Sequence, residues 1–392
     1  MNKKILFLDA LPFDSKIQVG SHHYARLFRS AGYEVFSLSN YLNFLRFIRR
    51  KPEDREMIEN YRSGVRVSAE GIRTYTPLCV LPYLNFPALN SLTLARHCLR
   101  FCFPPLGKMM DSFRKVDILF VNNIRLRSIL RIVESKTIVL RITDRFDAFP
   151  NVPGTIVELE REMIRMADLV FVTSRKLQEE IRDLNPNTHY LPNGVAADFL
   201  RRPEDATPPP EEYRNLHRPI AVYVGAVSDW FDYELFEFGL SRLKDVSFVV
   251  IGPICGVNYR RNWRLIQRFS KTFPNFTYLG SKDFNELKPY LHHAAVGLIP
   301  FRVNTLTHEI NPVKLFDYAA SGLQTVASDM RELRHFRQLA ALYSTHEEYT
   351  DFIRAATSEG DRAMWERVAV AGRNTWEARF ELLVSKLQEL ER

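Results

Sequence analysis

Pro300-Phe301-Arg302-Val303-Asn304, continued by His308-Glu309-Ile310-Asn311-Pro312-Val313-Lys314-Leu315-Phe316-Asp317-Tyr318 and closing at Gly322, is the stretch on which the reading of this chain turns. The apolar run Ala295–Pro300 before it reads as a strand, and the polar loop after it leads into a helix expected over Pro312–Ser321. Asn311 is placed to cap that helix, with Pro312 at its first position, where a missing N–H costs no hydrogen bond. Such a helix start offers free backbone N–H groups and a positive dipole end, which suit a phosphate. Arg302 and Lys314 add charge. Asp317 lies one turn beyond Lys314, where a carboxylate can accept hydrogen bonds from a ribose. Helix physics alone equally accommodates a structural role, with a capped helix, a lysine lying along apolar surface and an aspartate in an ion pair.

Outward from this stretch, short apolar runs alternate with helical patterns. Ile220–Gly225, Val246–Gly252, Phe276–Gly280 and Gln324–Ser328 join Ala295–Pro300 as expected strands. Helices fall near Tyr233–Leu243, Trp263–Thr272 and Asn285–His292, and three more follow from His346. An earlier series has the same form: strands at Lys4–Asp9, Tyr33–Leu38, Asp117–Asn122, Thr137–Arg141 and Asp168–Thr173, with helices near Gly20–Ala31, Ile124–Glu134, Thr155–Met166 and Arg175–Asp183. Continuous apolar strands are those buried on both faces of a parallel sheet, so each series implies a doubly wound α/β domain. Arg201–Pro219 holds five prolines and reads as a linker. The expected organisation is a domain over 1–200, a linker over 201–219, a second domain over 220–372, and a final helix over 373–392 packing back on the first. Ligands of such sheets bind at the carboxyl ends of strands, and two facing domains favour a cleft between them.

Composition narrows the class. The chain has 392 residues, enough for two domains, and a hydrophobic fraction of 46%, which excludes a disordered chain. No uninterrupted apolar run reaches membrane-spanning length, and Asp9, Pro12 and Asp14 end the apolar start before any signal-peptide pattern is complete. The four cysteines, at 79, 98, 102 and 255, form no Cys-x-x-Cys pair and suggest reduced thiols in a cytoplasm. The net charge of +8 is uneven: residues 1–150 hold 24 Lys and Arg against 13 Asp and Glu, while residues 201–392 hold 25 of each. A basic body favours phosphate-rich partners. Nucleic acid is the weakest of these, because no recognised binding motif is present. Tyr41–Lys51 sets aromatics among Arg46, Arg49, Arg50 and Lys51. Tyr83–Lys108 mixes Phe86, Phe101 and Phe103 with Arg96, Arg100 and Lys108. Segments of this kind suit a surface resting in lipid headgroups, and the second is equally readable as domain core.

The run N-P-V-K-L-F-D-Y-A-A-S-G over 311–322 resembles the nucleotide-binding helix of the GT-B glycosyltransferases. Glu309 and Asp317 keep the spacing of that family's paired acidic residues, with Asp in place of the usual second Glu. The resemblance implies an α/β GT-B fold: two facing Rossmann-like domains with parallel sheets and an interdomain cleft. It places a nucleotide-sugar on Gly280, Ser281, Arg302, Glu309, Asn311, Val313, Lys314 and Asp317, with the Gly280–Lys282 turn near the base. In the first domain, Arg141-Ile142-Thr143-Asp144 is similar to the Arg-x-x-Asp setting of bacterial xanthan-type glucuronosyltransferases, which makes Asp144 the expected general base. An acceptor hydroxyl needs such a group to take its proton as it attacks the anomeric carbon.

Asp144 also reads as a turn cap or as a partner of Arg141 or Arg145. Asp147 is a rival base, and His22 and His23 are candidate acceptor contacts, of which at most one can line a cleft. With no Asp-x-Asp triplet, no metal and no cofactor are expected, the UDP-sugar being a substrate. The implied activity is inverting transfer of a sugar, glucuronic acid favoured, from a UDP-sugar to a lipid-linked glycan in surface polysaccharide synthesis. The implied location is cytoplasmic, held peripherally at the anionic inner face of the plasma membrane. Two alternatives stay open: a retaining transferase that gives weight to Glu309, and a catalytically silent glycan- or nucleotide-binding subunit.

Overall fold

Strands that are apolar on both faces need helices on both sides, and the chain supplies them in alternation. The computed structural model describes residues 2–15, 18–49, 54–144, 152–358 and 360–391. Contacts divide it into two units, residues 1–192 with 380–392, and residues 193–379. The first unit holds β1 (Lys4–Asp9), β2 (Glu34–Ser39), β3 (Leu42–Asn43), β4 (Arg66–Val67), β5 (Arg73–Tyr75), β6 (Leu78–Cys79), β7 (Cys102–Phe103), β8 (Lys115–Val121), β9 (Glu134–Ile142), β10 (Leu169–Val172) and β11 (Thr188–Tyr190). Eight of these form one sheet in the order β11-β10-β9-β8-β1-β2-β5-β4, parallel except where β4 meets β5. The strand order reverses between β1 and β8, which pair directly. Asp9 therefore ends beside Asn122, and Asp144 follows the next strand, β9.

The second unit holds β12 (Ile220–Val224), β13 (Ser247–Ile251), β14 (Phe276–Gly280), β15 (Val296–Ile299), β16 (Gln324–Ser328) and β17 (Ala340–Tyr343), all parallel, in the order β14-β13-β12-β15-β16-β17. Its reversal falls between β12 and β15, the position where open α/β sheets take their ligands. β17 has no counterpart in the sequence reading, because Ala-Ala-Leu-Tyr is too short a run to stand out. The proline-rich stretch 201–219 lies within this unit: Tyr213 is buried, the Arg201 N–H donates to the Ala320 carbonyl at 2.8 Å, and Lys282 pairs with Glu212 at 2.7 Å. The last helix, Trp376–Leu390, gives its residues from Phe380 onward to the first unit, where Phe380 meets Phe28 edge-on with ring centroids 4.9 Å apart.

The helix Val313–Ala320 is set on the sheet by Tyr318. Its hydroxyl accepts from the Val224 N–H on β12 at 2.9 Å and donates to the Leu298 carbonyl on β15 at 3.2 Å, so one fully buried side chain ties the helix to both strands of the reversal. The ring fits because residue 297 is glycine: a Cβ there would lie 2.3 Å from the ring. Gly297→Val should therefore overpack this contact and cost about 1–3 kcal/mol. Urea denaturation should show the loss as a lower midpoint, and an unchanged midpoint would remove Tyr318 from its role as the anchor.

Candidate active site

Because the helix Val313–Ala320 is fixed this way, its first turn comes to the end of β12. Pro312, not Asn311, occupies the capping position, and no side chain caps the helix start. Asn311 is drawn away instead: its side-chain oxygen accepts from the Asn193 N–H at 3.0 Å, and its carbonyl accepts from the Asn193 side-chain amide at 2.6 Å. The Leu315 N–H donates to the Pro312 carbonyl at 3.1 Å, while among the described residues nothing accepts from the Val313 and Lys314 N–H groups, which stay open to an anion.

Lys314 is the charge in that site. Its ammonium lies 4.7 Å from the centre of the Phe301 ring and 5.3 Å from that of Tyr223. A Cβ at Gly225, where φ is +139°, would lie 3.2 Å from Nζ, so the lysine reaches the turn that ends β12. Among the described residues, no side chain or carbonyl accepts a hydrogen bond from this ammonium. Burial lowers its pKa to about 8, against the pull of Asp317. Burial raises the Asp317 carboxyl to about 7, against the pull of Lys314. Two aromatic faces offer the cation partial compensation, and an anion in front of it would complete the site.

The other expected residues divide. Gly280 ends β14 with φ +69°, and its carbonyl accepts from the Gly252 N–H at 2.7 Å. Ser281 is exposed beside it, while Lys282 is held in its ion pair with Glu212. The Arg302 N–H donates to the Trp230 carbonyl at 2.8 Å, which ties the loop after β15 to the loop after β12. Val303 is exposed. Glu309 is buried and engaged by Arg331 Nη1 at 2.8 Å. Gly225, Gly252, Tyr223 and Tyr318 belong to this constellation and were not singled out in the sequence. The signal was present in two strands that end on glycine, Tyr223-Val224-Gly225 and Val250-Ile251-Gly252. A Cβ at residue 252 would come within 2.1 Å of the Gly225 carbonyl oxygen, so these turns touch backbone to backbone.

In the first unit Asp144 follows β9, and Oδ2 accepts from the Thr143 hydroxyl at 3.0 Å. Burial holds its carboxyl above the usual range, with Thr143 and Arg141 opposing. Arg141 is buried, its guanidinium 5.5 Å from the Tyr24 ring centre. Asp9, at the end of β1, is pushed up to about 6 by burial although Ser21, Ser37 and Asn122 hydrogen-bond to it. Asp147 lies outside the described residues. His22 is not a surface contact: it is fully buried edge-on to Phe13, because its helix turns that face into the core. His23 is half-buried at the same helix start, and burial lowers it to about 3. Among the described residues no cluster of His, Cys, Asp and Glu is arranged to hold a metal ion, and no helix is long and apolar enough to cross a membrane.

The two basic-aromatic segments meet in a small sheet, β3-β6-β7. Tyr83, Cys98, Leu99, Cys102 and Leu106 are core, as one reading of the second segment held. Phe86, Phe101 and Phe103 remain exposed, as do Phe44, Leu45 and Ile48. Arg46 is neutralised by Asp54, whereas Arg49 and Arg100 are exposed. Arg50 and Lys51 lie outside the described residues.

No protein-family model matches the chain. The putative teichuronic acid biosynthesis glycosyltransferase TuaH of Bacillus subtilis (strain 168) is 21% identical over 182 residues, which is 45% of this chain and 44% of that protein. The chain thus matches less than half of this relative's length. The sucrose-phosphate synthase tll1590 from Thermosynechococcus elongatus superposes with a TM-score of 0.73 at 15% identity, covering 99% of both chains. The Anabaena protein Alr3699/HepE, solved in complex with UDP and glucose, superposes at 0.67 and 12% identity, over 99% of this chain and 100% of its own. At these identities the likeness establishes the fold, the GT-B type with two Rossmann-like units.

The lowered pKa gives the anion site a pH signature. Below about pH 8 the Lys314 ammonium is charged, and above it the charge is lost. Affinity for inorganic pyrophosphate, measured by calorimetry, should fall as pH rises through that value, and Lys314→Arg should flatten the fall. Parallel profiles for the two proteins would show that the lysine does not hold the anion.

Proposed function

We propose that this protein is an inverting glycosyltransferase that moves a sugar from a UDP-sugar to a lipid-linked glycan. The observation that carries this reading is the Lys314 ammonium, which has no hydrogen-bond acceptor among the described residues, set at an uncapped helix start at the strand reversal of the second unit. A diphosphate would take its charge there from Lys314 and the first N–H groups of the helix. Asp317, one turn on, would accept from the ribose hydroxyls, and the Gly280–Ser281 turn would meet the base through its backbone. HepE, solved with UDP and with UDP-glucose, supports a UDP-sugar as donor.

Transfer needs a proton acceptor and a stabilised leaving group. Asp144 takes the proton of the acceptor hydroxyl as its oxygen bonds to the anomeric carbon, and the bond from that carbon to UDP breaks. Lys314 and the helix start hold the charge that grows on the departing phosphate. No metal is needed in this scheme, because fixed cations do that work. Burial raises Asp144 toward the range where a carboxylate is a useful base. Asp144→Asn keeps the shape and removes the basicity. Turnover should fall by about 10²–10⁴ while UDP affinity holds, and the wild-type product should carry an inverted anomeric centre. A fully active Asn variant, or a retained configuration, would overturn the mechanism.

Glucuronic acid remains the favoured sugar on the xanthan-type likeness of Arg141–Asp144. The link of TuaH to teichuronic acid biosynthesis supports an acidic surface polysaccharide. His23 is the acceptor contact we favour of the histidine pair. The exposed Phe101, Phe103, Phe44 and Ile48 of the first unit support a lipid-linked acceptor at an anionic membrane. A lipid-linked glycan should be used with higher kcat/KM than the same glycan without lipid, and Phe101→Ser with Phe103→Ser should narrow that difference. Equal use of both acceptors by the wild type would discard the lipid.

A further inference from the structure

The neutral balance of the second half conceals one strongly cationic helix. Tyr259–Thr272 carries Arg260, Arg261, Arg264, Arg268 and Lys271 and no acidic residue. Asn262, Ile266 and Phe269 form its buried face. On the outer side Tyr259 is 50% exposed and Trp263 41%, and Val257, just before the helix, is 75% exposed. Tyr259 and Trp263 are four residues apart, as are Arg260 and Arg264, so two rings and two guanidiniums share a continuous surface. Arg268 pairs with Glu237, whereas Arg260, Arg261 and Arg264 have no acidic partner among the described residues.

This arrangement opposes the helix's own electrostatics. Cations in a first turn meet the positive end of the dipole, and like charges four residues apart repel. This turn has no Asp or Glu of its own; the Asp229 carboxylate, from the loop after β12, accepts from the Val257 N–H at 2.8 Å and the Asn258 N–H at 3.3 Å just before it, and forms no ion pair with these arginines among the described residues. One carboxylate does not balance three arginines, and an external anion would relieve the repulsion that remains among them. The neighbouring valine, tyrosine and tryptophan point to an anion at an apolar boundary, since aromatic rings of this kind settle at the headgroup level of a bilayer.

We propose that this face of the second unit docks on an anionic lipid surface. Trp263 and Tyr259 enter the headgroup layer, and Arg260, Arg261 and Arg264 meet lipid phosphates. The contact belongs to the second unit, and it does not depend on the transferase reading.

Trp263 is also the reporter. Of the four tryptophans it alone is exposed, Trp230 and Trp365 being half-buried and Trp376 buried. The test mixes the full chain with vesicles of phosphatidylglycerol and brominated phosphatidylcholine and follows tryptophan quenching. Quenching is expected with these vesicles, not with brominated phosphatidylcholine alone, and Trp263→Phe should abolish it. Reversing Arg260, Arg261 and Arg264 to Glu should weaken vesicle affinity about a hundredfold or more. Quenching that survives Trp263→Phe, or unchanged affinity after the triple reversal, would overturn the proposal. So would binding of polyuridylic acid through these arginines by a protein indifferent to the vesicles. Transferase activity that is absent while Trp263 is still quenched would sink only the transferase reading.

Discussion

The Tyr318 hydroxyl is the constraint on which the second unit's chemistry rests. At the strand reversal, β12 and β15 diverge beyond their first pairs, and a phenol bridges the gap by accepting from one strand and donating to the other. A buried hydroxyl that makes both bonds is worth more than its net energy, because leaving either backbone group unpaired costs about 1–3 kcal/mol. The ring enters only because residue 297 has no side chain. With Tyr318 fixed, Lys314 one turn earlier reaches the glycine turn after β12.

The charge in the site follows from that placement. A lysine held among Phe301, Tyr223 and the Gly225 turn is poorly solvated and has no acceptor among the described residues. Such a group is destabilised until an anion arrives, so part of the binding energy comes from relieving a cost built into the free protein. The first unit repeats the theme with opposite sign: Asp9 and Asp144 are both raised by burial at the carboxyl edge of its sheet.

Much of this was legible in the chain. The apolar runs of both series became parallel strands near their expected bounds, because a strand buried on two faces leaves a mark that neighbours cannot disguise. Lys314 lies in the first turn of its helix, Asp317 follows one turn on, and Asp144 comes after β9. Three readings shifted for reasons of tertiary structure. Asn311 gave up its capping role because Asn193, over a hundred residues earlier, claims its polar atoms. Of the pair His22 and His23, which the sequence left undivided, His22 is core, because one residue's shift along a helix exchanges surface for interior. The tie of 201–219 to the second unit depends on Tyr213 and Glu212, which a proline-rich composition hides. Gly225, Gly252 and Tyr318 passed unremarked, since a glycine's value shows only when its neighbour is known.

The central claim is that Lys314 and the start of its helix form the diphosphate site. A crystal structure of the chain soaked with UDP measures this directly. The account predicts the diphosphate within hydrogen-bond reach of Lys314 Nζ and of the backbone N–H groups of Val313 and Lys314. A diphosphate bound elsewhere, with the ammonium still resting over Phe301 and Tyr223, would contradict it.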